Sequence, residues 1–180
     1  MESADERHSS SVVQYTDEWE SLQQHPDPEW FRDAKFGIYT HWGPYSVPEW
    51  GDEWYARRMY LNKKKKNGNF YVFHKERYGD PADFGYKDLI PLFTADNFDA
   101  DEWADLFVNS GAKFAGPVAE HHGGFAMWDS DLTKWDAMDM GPRRDIVGEL
   151  GKALKGRGLK FVTSFHHARK WWWYEVSFTE

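Results

Sequence analysis

The stretch that decides the fold is FAGPVAEHHGGF, residues 114–125. Its apolar run, Phe114 to Ala119, has the length and the boundaries of a buried β-strand, and His121 and His122 follow it closely. The same arrangement occurs earlier in the chain, where His41 directly follows the strand-like run FGIYT. Because α/β enzymes place functional side chains at the C-terminal ends of parallel strands, these histidines are candidate site residues.

A helix is predicted between these two strands. Asp99 and Glu102 form a capping-box-like pair at its start. Trp103, Leu106 and Phe107 follow at the spacing of residues that share one helix face. We therefore expect these three side chains to form the buried face of the helix.

A second helix is predicted after a long loop, 120–144. Asp145 is its candidate N-cap, and the cation- and glycine-rich KGRG segment, 155–158, marks its end. Its expected apolar stripe comprises Ile146, Val147, Leu150, Ala153 and Leu154. A third strand is expected at 159–163, and the histidine pair His166-His167 follows it.

The order of strands and helices indicates an α/β fold with a parallel sheet. Every predicted strand is followed by histidine. In a (β/α)8 TIM-type barrel every strand ends at the same mouth, so this pattern favours a barrel over a doubly wound sheet. A complete barrel typically needs ~250 residues. We therefore predict a disordered tail at 1–15, followed at 16–180 by the N-terminal part of a barrel, roughly its first three to four βα units.

The segments before and after the first strand carry weaker signals. A short helix capped by Thr16 is predicted to extend to Gln24, and Pro28 is expected to open another helix over 29–33. Proline and glycine punctuate 41–98, which therefore reads as a long excursion with a helix at 54–61. Loops of this length in compact domains are usually functional.

Composition excludes several functions. The chain has 180 residues and a formal charge of −8, which argues against nucleic acid and anionic membranes as partners. It contains no cysteine, so disulfides and thiolate metal sites are excluded. There is no apolar stretch of roughly 18 residues and no signal-peptide pattern, so we expect no membrane span and a cytoplasmic location if Met1 is the natural start.

Aromatic residues make up 18% of the chain and include 11 tryptophans. Many of these lie in glycine- and charge-rich segments rather than in periodic helices. Two interpretations stay open from composition: the aromatic rings pack beneath long loops, or they line a pocket that stacks on flat apolar faces such as those of a sugar ring.

Several segments together resemble the opening of the catalytic barrel of α-L-fucosidases, glycoside hydrolase family 29. They are WFRDAKFGIYTHWGPYSVP at 30–48, EWY at 53–55, FTADNF at 93–98, AKF at 112–114 and HHGGF at 121–125. The resemblance covers about residues 28–165. It implies a retaining hydrolase without a cofactor that removes terminal α-L-fucose from glycans or small fucosides, with its nucleophile and usual acid/base beyond the end of this chain. The full-length enzyme could form a homo-oligomer, and many members are secreted, periplasmic or lysosomal.

The resemblance also implies a set of sugar-binding residues, and neutral imidazole suits sugar hydroxyls because it offers one donor and one acceptor. The expected substrate-binding residues are His41, Trp42, Glu53, Trp54, His121 and His122. Secondary candidates are Tyr45, Phe125, Trp128 and His166. Glu53 is in addition the one candidate in this chain for part of the acid/base task. His166 ranks below His121, because the segment around it departs from the family pattern.

Other functions stay open from the residues. A fucose- or glycan-binding module without chemistry would use the same histidines and tryptophans. A metal-dependent hydrolase would hold zinc at His41, His121 and His122, although the family uses no metal. The acidic run 129–139 is interpreted as solvated loop charge rather than a calcium site. The consecutive aromatics 171–174 are expected to pack against further barrel elements or to form a binding surface.

Overall fold

The computed structural model describes residues 14–64, 66 and 68–166. The predicted tail at 1–15 lies almost wholly outside these residues, as do His167 and the aromatic run 171–174. The chain divides into two compact units, Met1–Lys35 and Phe36–Glu180.

The N-terminal unit contains two short helices, α1 (Trp19–Leu22) and α2 (Glu29–Ala34). Helix α2 begins after Pro28, as predicted. The predicted cap of α1 is wrong: Glu18 occupies the N-cap position, and the Thr16 amide instead donates to Ser21 Oγ at 3.0 Å. The bond to the Ser21 side chain holds Thr16 outside the helix, so the helix begins later than the sequence predicts.

The second unit is built on a parallel sheet. Its strands are β1 (Gly37–Thr40), β2 (Phe114–Glu120), β3 (Lys160–Phe161) and β4 (Ser164–Phe165). β2 is central: β1 pairs with it on one side, β3 and β4 pair with it on the other, and all these pairings are parallel. All carboxyl ends therefore point to one edge of the sheet.

The third predicted strand is split into β3 and β4, because the ladder on β2 is irregular between Val118 and Glu120. Pro117 has no N–H to contribute to the ladder, and the Thr163 hydroxyl donates to the Pro117 carbonyl at 2.8 Å beside the break. Gly116 permits the close approach of the next strand, since a Cβ there would lie 1.5 Å from the carbonyl oxygen of Val162. The break brings Phe165 alongside Glu120 at the end of β2.

Helices α6 (Ala100–Asn109) and α7 (Ile146–Gly156) cover the sheet, and both begin at the predicted caps. The Asp99 carboxylate accepts from the amides of Asp101 and Glu102, and Asp145 accepts from the Gly148 amide. The stripe of α7 is confirmed, with Val147 half-buried and its other four members buried.

The predicted face of α6 is partly wrong. Leu106 is 64% exposed, whereas Ala104 and Phe107 are buried and Trp103 is half-buried. The side of Ala104 and Phe107 faces inward, and Leu106 projects roughly 100° away from Phe107 around the helix axis. The spacing alone did not distinguish these two faces.

The first long excursion is more ordered than predicted. It contains 3₁₀ turns at Pro44–Ser46 and Ile90–Leu92, and helices α3 (Tyr55–Arg58), α4 (Phe70–Tyr78) and α5 (Tyr86–Leu89). The helix predicted at 54–61 is the shorter α3, and α4 was not predicted. Helix α4 lacks a broad apolar stripe and is anchored instead by the buried side chains of Phe70 and His74.

His74 fastens α4 to the rest of the excursion. Its Nε2 lies 2.8 Å from the Phe84 carbonyl and its Nδ1 lies 2.9 Å from the Tyr55 hydroxyl. Since a carbonyl can only accept, Nε2 carries the proton and Nδ1 accepts from Tyr55. Burial lowers the pKa of His74, which favours this neutral tautomer.

The second long loop was predicted at 120–144; Glu120 belongs to β2, and residues 121–144 contain no helix or named strand. Isolated bridges join Ala126 to Glu120 and to Asp136. The buried Asp136 carboxylate accepts from the Met138 and Asp139 amides, both at 2.9 Å, so it organises a turn. Within the described ranges, no helix is long and apolar enough to cross a membrane.

Candidate functional site

Three imidazoles meet at the carboxyl edge of the sheet. His41 follows β1, His121 follows β2 and His166 follows β4. Their ring centroids are separated by 5.5 Å for His41 and His121, 5.9 Å for His41 and His166, and 4.6 Å for His121 and His166. Parallel pairing of the strands accounts for this convergence, because it places all three strand exits side by side.

His122 joins the same cluster, with its ring centroid 4.9 Å from that of His121. Its Nδ1 lies 3.1 Å from the His166 carbonyl oxygen, so this nitrogen donates and Nε2 is left as an acceptor. Trp54 packs against both histidines, at 4.8 Å from His122 and 5.7 Å from His121. The structure therefore brings together His41, Trp54, His121 and His122, four of the predicted substrate-binding residues.

The electrostatics of the cluster favour uncharged imidazole. The pKa of His121 is lowered to about 3, first by burial and then by the neighbouring His166, His122 and His41 in that order of effect. The pKa of His166 is also lowered, first by burial and then by His122 and His41, while Glu53 acts in the opposite direction. Near neutral pH, His121 and His166 therefore each offer one N–H donor and one acceptor.

Glu53 and Tyr45 lie beside the cluster. Both line an open cleft of about 370 Å³ that includes His41. Tyr45 is buried against His121 with ring centroids 5.4 Å apart, and its hydroxyl has no hydrogen-bond partner in the described part of the chain. Burial raises the pKa of Tyr45, and the nearby Glu53 carboxylate raises it further, so the phenol stays protonated and able to donate.

The other predicted aromatics lie outside the ring cluster. Trp42 packs against Phe93, Phe98 and Trp103, although it also lines a larger cleft of about 650 Å³ that includes His41. Phe125 is buried in the core. Trp128 packs edge-on against Phe165, with ring centroids 5.3 Å apart. Trp42, Phe125 and Trp128 thus pack against other aromatic or core residues, while Trp54 faces the imidazoles.

Tyr39 is a site residue that sequence reasoning missed. Its hydroxyl hydrogen-bonds to Ser164 and lies 3.3 Å from His166 Nε2, and its ring centroid lies 5.0 Å from that of His41. A signal was available, because side chains two positions apart on a strand share a face, and Tyr39 precedes His41 by that interval. His166, which ranks below His121 in the sequence analysis, contacts the rings of His41, His121 and His122.

The group of histidines able to share a metal ion also differs from the predicted one. The ligand atoms of His41, His121 and His166 all lie within 4.8 Å of one another. The alternative considered from the sequence, a zinc site at His41, His121 and His122, is therefore corrected: His166 takes the place of His122. His122 Nδ1 bonds to the His166 carbonyl, which holds the His122 ring away from a shared metal position. Among the residues that the structure describes, this trio is the group of at least three histidine, cysteine or acidic side chains placed closely enough to share a metal ion.

Fold and site define the class of (β/α)8-barrel proteins that carry their functional residues at the carboxyl ends of the strands. The family model for alpha-L-fucosidase matches residues 2–179, and the chain belongs to this family. It is 42% identical over 168 residues to the tissue alpha-L-fucosidase of Bos taurus, covering 93% of this chain and 35% of that relative. It is 44% identical over 148 residues to the plasma alpha-L-fucosidase of Homo sapiens, covering 82% of this chain and 31% of that relative.

Among solved structures, the Thermotoga maritima alpha-fucosidase in complex with a mechanism-based inhibitor superposes with a TM-score of 0.80 and 38% identity, covering 88% of this chain and 39% of that one. The same enzyme in complex with fucose gives a TM-score of 0.77 and 39% identity, covering 84% of this chain and 37% of that one. The sheet described above is thus the first part of a TIM-type barrel. The chain spans about a third of the length of the curated relatives, 35% and 31% for the two named.

Proposed function

We propose that this chain supplies the fucose-binding part of an enzyme that hydrolyses terminal α-L-fucose from glycans or fucosides. The observation that carries the proposal is the convergence of His41, His121 and His122 on one edge of the sheet, with Trp54 packed against the last two. The names of the relatives reported above, two alpha-L-fucosidases and one alpha-fucosidase, support the same substrate class.

Hydrogen bonding to sugar hydroxyls is the task for which these imidazoles are suited. Each fucose hydroxyl both donates and accepts, and so does each neutral imidazole. The lowered pKa of His121 keeps that ring neutral over the physiological range. The half-buried indole of Trp54 would cover the apolar edge of the sugar ring and its methyl group. Glu53 would accept strongly from one hydroxyl.

The proposed reaction is a retaining double displacement. An aspartate attacks the anomeric carbon and forms a glycosyl ester while a carboxylic acid protonates the leaving oxygen, and water then hydrolyses the ester. Retention needs two carboxyl groups about 5–5.5 Å apart. Glu53 is the candidate in this chain for part of the acid/base task, and we assign the nucleophile to none of its residues.

The test is to titrate the 180-residue chain with L-fucose by calorimetry and, separately, to measure nitrophenol release from a nitrophenyl α-L-fucoside. We expect binding of L-fucose but not of D-fucose, and negligible hydrolysis, because removal of the nucleophile abolishes the covalent step. His121→Gln should abolish binding, whereas His25→Gln, an exposed change in the N-terminal unit, should preserve it. Absence of L-fucose binding by a folded chain refutes the assignment of the sugar site.

Hydrolysis by this chain at ordinary enzyme rates would instead refute the proposal that none of its residues is the nucleophile. Stereospecific binding without hydrolysis in a longer protein that contains this chain would favour the second candidate function, a glycan-binding module without chemistry.

A further inference from the structure

The histidine cluster contains a potential site for a metal ion. Ligand nitrogens of His41, His121 and His166 lie within 4.8 Å of one another. The three rings differ in exposure: His121 is buried, His166 is half-buried and His41 is exposed. An ion entering from solvent would therefore meet His41 first and reach His121 last.

The backbone around the trio is fixed before any ion arrives. The His166 amide donates to the Glu120 carbonyl at 2.9 Å, which ties the exit of β4 to the residue before His121. The pairing of Thr40 with Pro117 holds the exit of β1 next to that of β2. Tetrahedral Zn²⁺ with Zn–N bonds of about 2.0–2.1 Å requires nitrogens about 3.4 Å apart. Side-chain rotations that move the ring nitrogens by on the order of 1 Å would therefore bring them to this spacing.

The contacts of the rings favour this trio over any set with His122. His122 Nδ1 is engaged with the His166 carbonyl, so that ring is held by its own hydrogen bond. His166 Nε2 faces the Tyr39 hydroxyl at 3.3 Å, and that hydroxyl also bonds to Ser164. If Nε2 bound an ion, Tyr39 would retain Ser164 as its partner, so the phenol would not lose its only hydrogen bond.

The donor type restricts the ion. Imidazole nitrogen suits Zn²⁺, Cu²⁺, Ni²⁺ and Co²⁺, whereas Mg²⁺ and Ca²⁺ require oxygen ligands. Three protein nitrogens leave a fourth position open to water on the exposed side of His41.

We propose that His41, His121 and His166 bind one transition-metal dication of intermediate Lewis-acid softness, such as Zn²⁺, and that the ion excludes the sugar from the cleft. The exclusion rests on the proposed function, because His41 and His121 would also hold the fucose hydroxyls. The ion is an inhibitory ligand in this proposal and takes no part in hydrolysis.

The metal site is tested on the full chain after treatment with a chelator. Zn²⁺ is titrated by calorimetry, and Co²⁺ by visible absorption, which reports tetrahedral nitrogen coordination through intense d–d bands. We expect one ion per chain. His41→Gln and His166→Gln should each weaken binding at least tenfold, while His122→Gln should change it less than threefold. These substitutions lie at exposed or half-buried positions, and circular dichroism verifies that the variants fold.

Unchanged affinity in His41→Gln and His166→Gln would overturn the site, and so would an equal loss in His122→Gln. Repeating the Zn²⁺ titration with saturating L-fucose tests the exclusion: a reduced apparent Zn²⁺ affinity supports it, and an unchanged affinity with both ligands bound overturns it. Zn²⁺ binding by a folded chain that does not bind fucose would leave the metal site standing and refute the proposed function. Fucose binding by a chain that does not bind Zn²⁺ would refute the metal site and leave the proposed function standing.

Discussion

The imidazole rings of His121 and His166 lie 4.6 Å apart, centroid to centroid, although they leave different strands of the sheet. Their proximity depends on the break between β3 and β4, which brings the exit of β4 beside the end of β2. The His166 ring disfavours protonation of His121, because two imidazolium charges at this distance would repel. Burial and the rings of His122 and His41 lower the pKa of His166. The cluster is therefore most stable when these two histidines are neutral.

The first prediction concerns acid stability. The pKa of His121 falls from 6.5 to about 3 on folding, so between about pH 6.5 and pH 3 the unfolded chain binds more protons than the folded chain. The free energy of unfolding should therefore decrease as the pH falls through this window. After allowance for partial solvent screening, we expect a loss of about 1 kcal/mol from this group between pH 7 and pH 5.

Urea unfolding of the wild type and of His121→Gln at both pH values measures this loss. The variant carries no titratable group at this position, so its stability should depend less on pH. An identical pH dependence of the two proteins would contradict the lowered pKa of His121.

The second prediction concerns Trp54. Replacement by alanine removes the aromatic face beside His122 and should weaken L-fucose binding by about fivefold, which corresponds to a stacking contribution of about 1 kcal/mol. Trp54→Phe should retain part of the affinity because it keeps a smaller ring. Calorimetric titration measures both, with Trp19→Ala, at an exposed position of the N-terminal unit, as the control. Equal affinities for Trp54→Ala and the control would exclude Trp54 from the sugar site.

The third prediction concerns the bond between Tyr55 and His74. Tyr55→Phe leaves the buried Nδ1 acceptor of His74 without its 2.9 Å partner, and should cost about 1–3 kcal/mol of unfolding free energy. Tyr71→Phe is the matched control, because its hydroxyl makes a long 3.4 Å contact with Asp80 near the surface and should cost less than about 0.5 kcal/mol. Chemical denaturation measures both. A smaller loss for Tyr55→Phe than for the control would contradict a stabilising role for the bond between Tyr55 and His74.

The fourth prediction concerns strand spacing. Gly116→Ala would place a Cβ 1.5 Å from the Val162 carbonyl oxygen, so β2 and the segment after β3 would have to separate. We expect a loss of about 3 kcal/mol or more, or failure to fold. Gly156→Ala, at the end of α7, meets nothing within 4 Å and should be neutral or stabilise by up to about 1 kcal/mol. Thermal unfolding compares the two, and equal melting temperatures would disprove the close approach.

The amino-acid sequence by itself determined the features that depend on neighbouring residues. The strands that end at His41 and His121, the caps Asp99 and Asp145, and the apolar stripe of α7 all follow from short-range patterns. These features are local because a cap or a stripe needs only the residues within a turn or two of the chain. The family also followed from the sequence, since its motifs occur in order along most of the chain.

Only the tertiary structure decided which side chains meet. It placed His166 and Tyr39 in the imidazole cluster, turned Leu106 to the outside of α6, and formed α4 around the buried His74. Each outcome depends on contacts between residues far apart in the chain, such as strand register and the packing of one element on another. Local propensity carries no information on such contacts, because the free energy that selects them arises only when the sheet and its covering elements assemble.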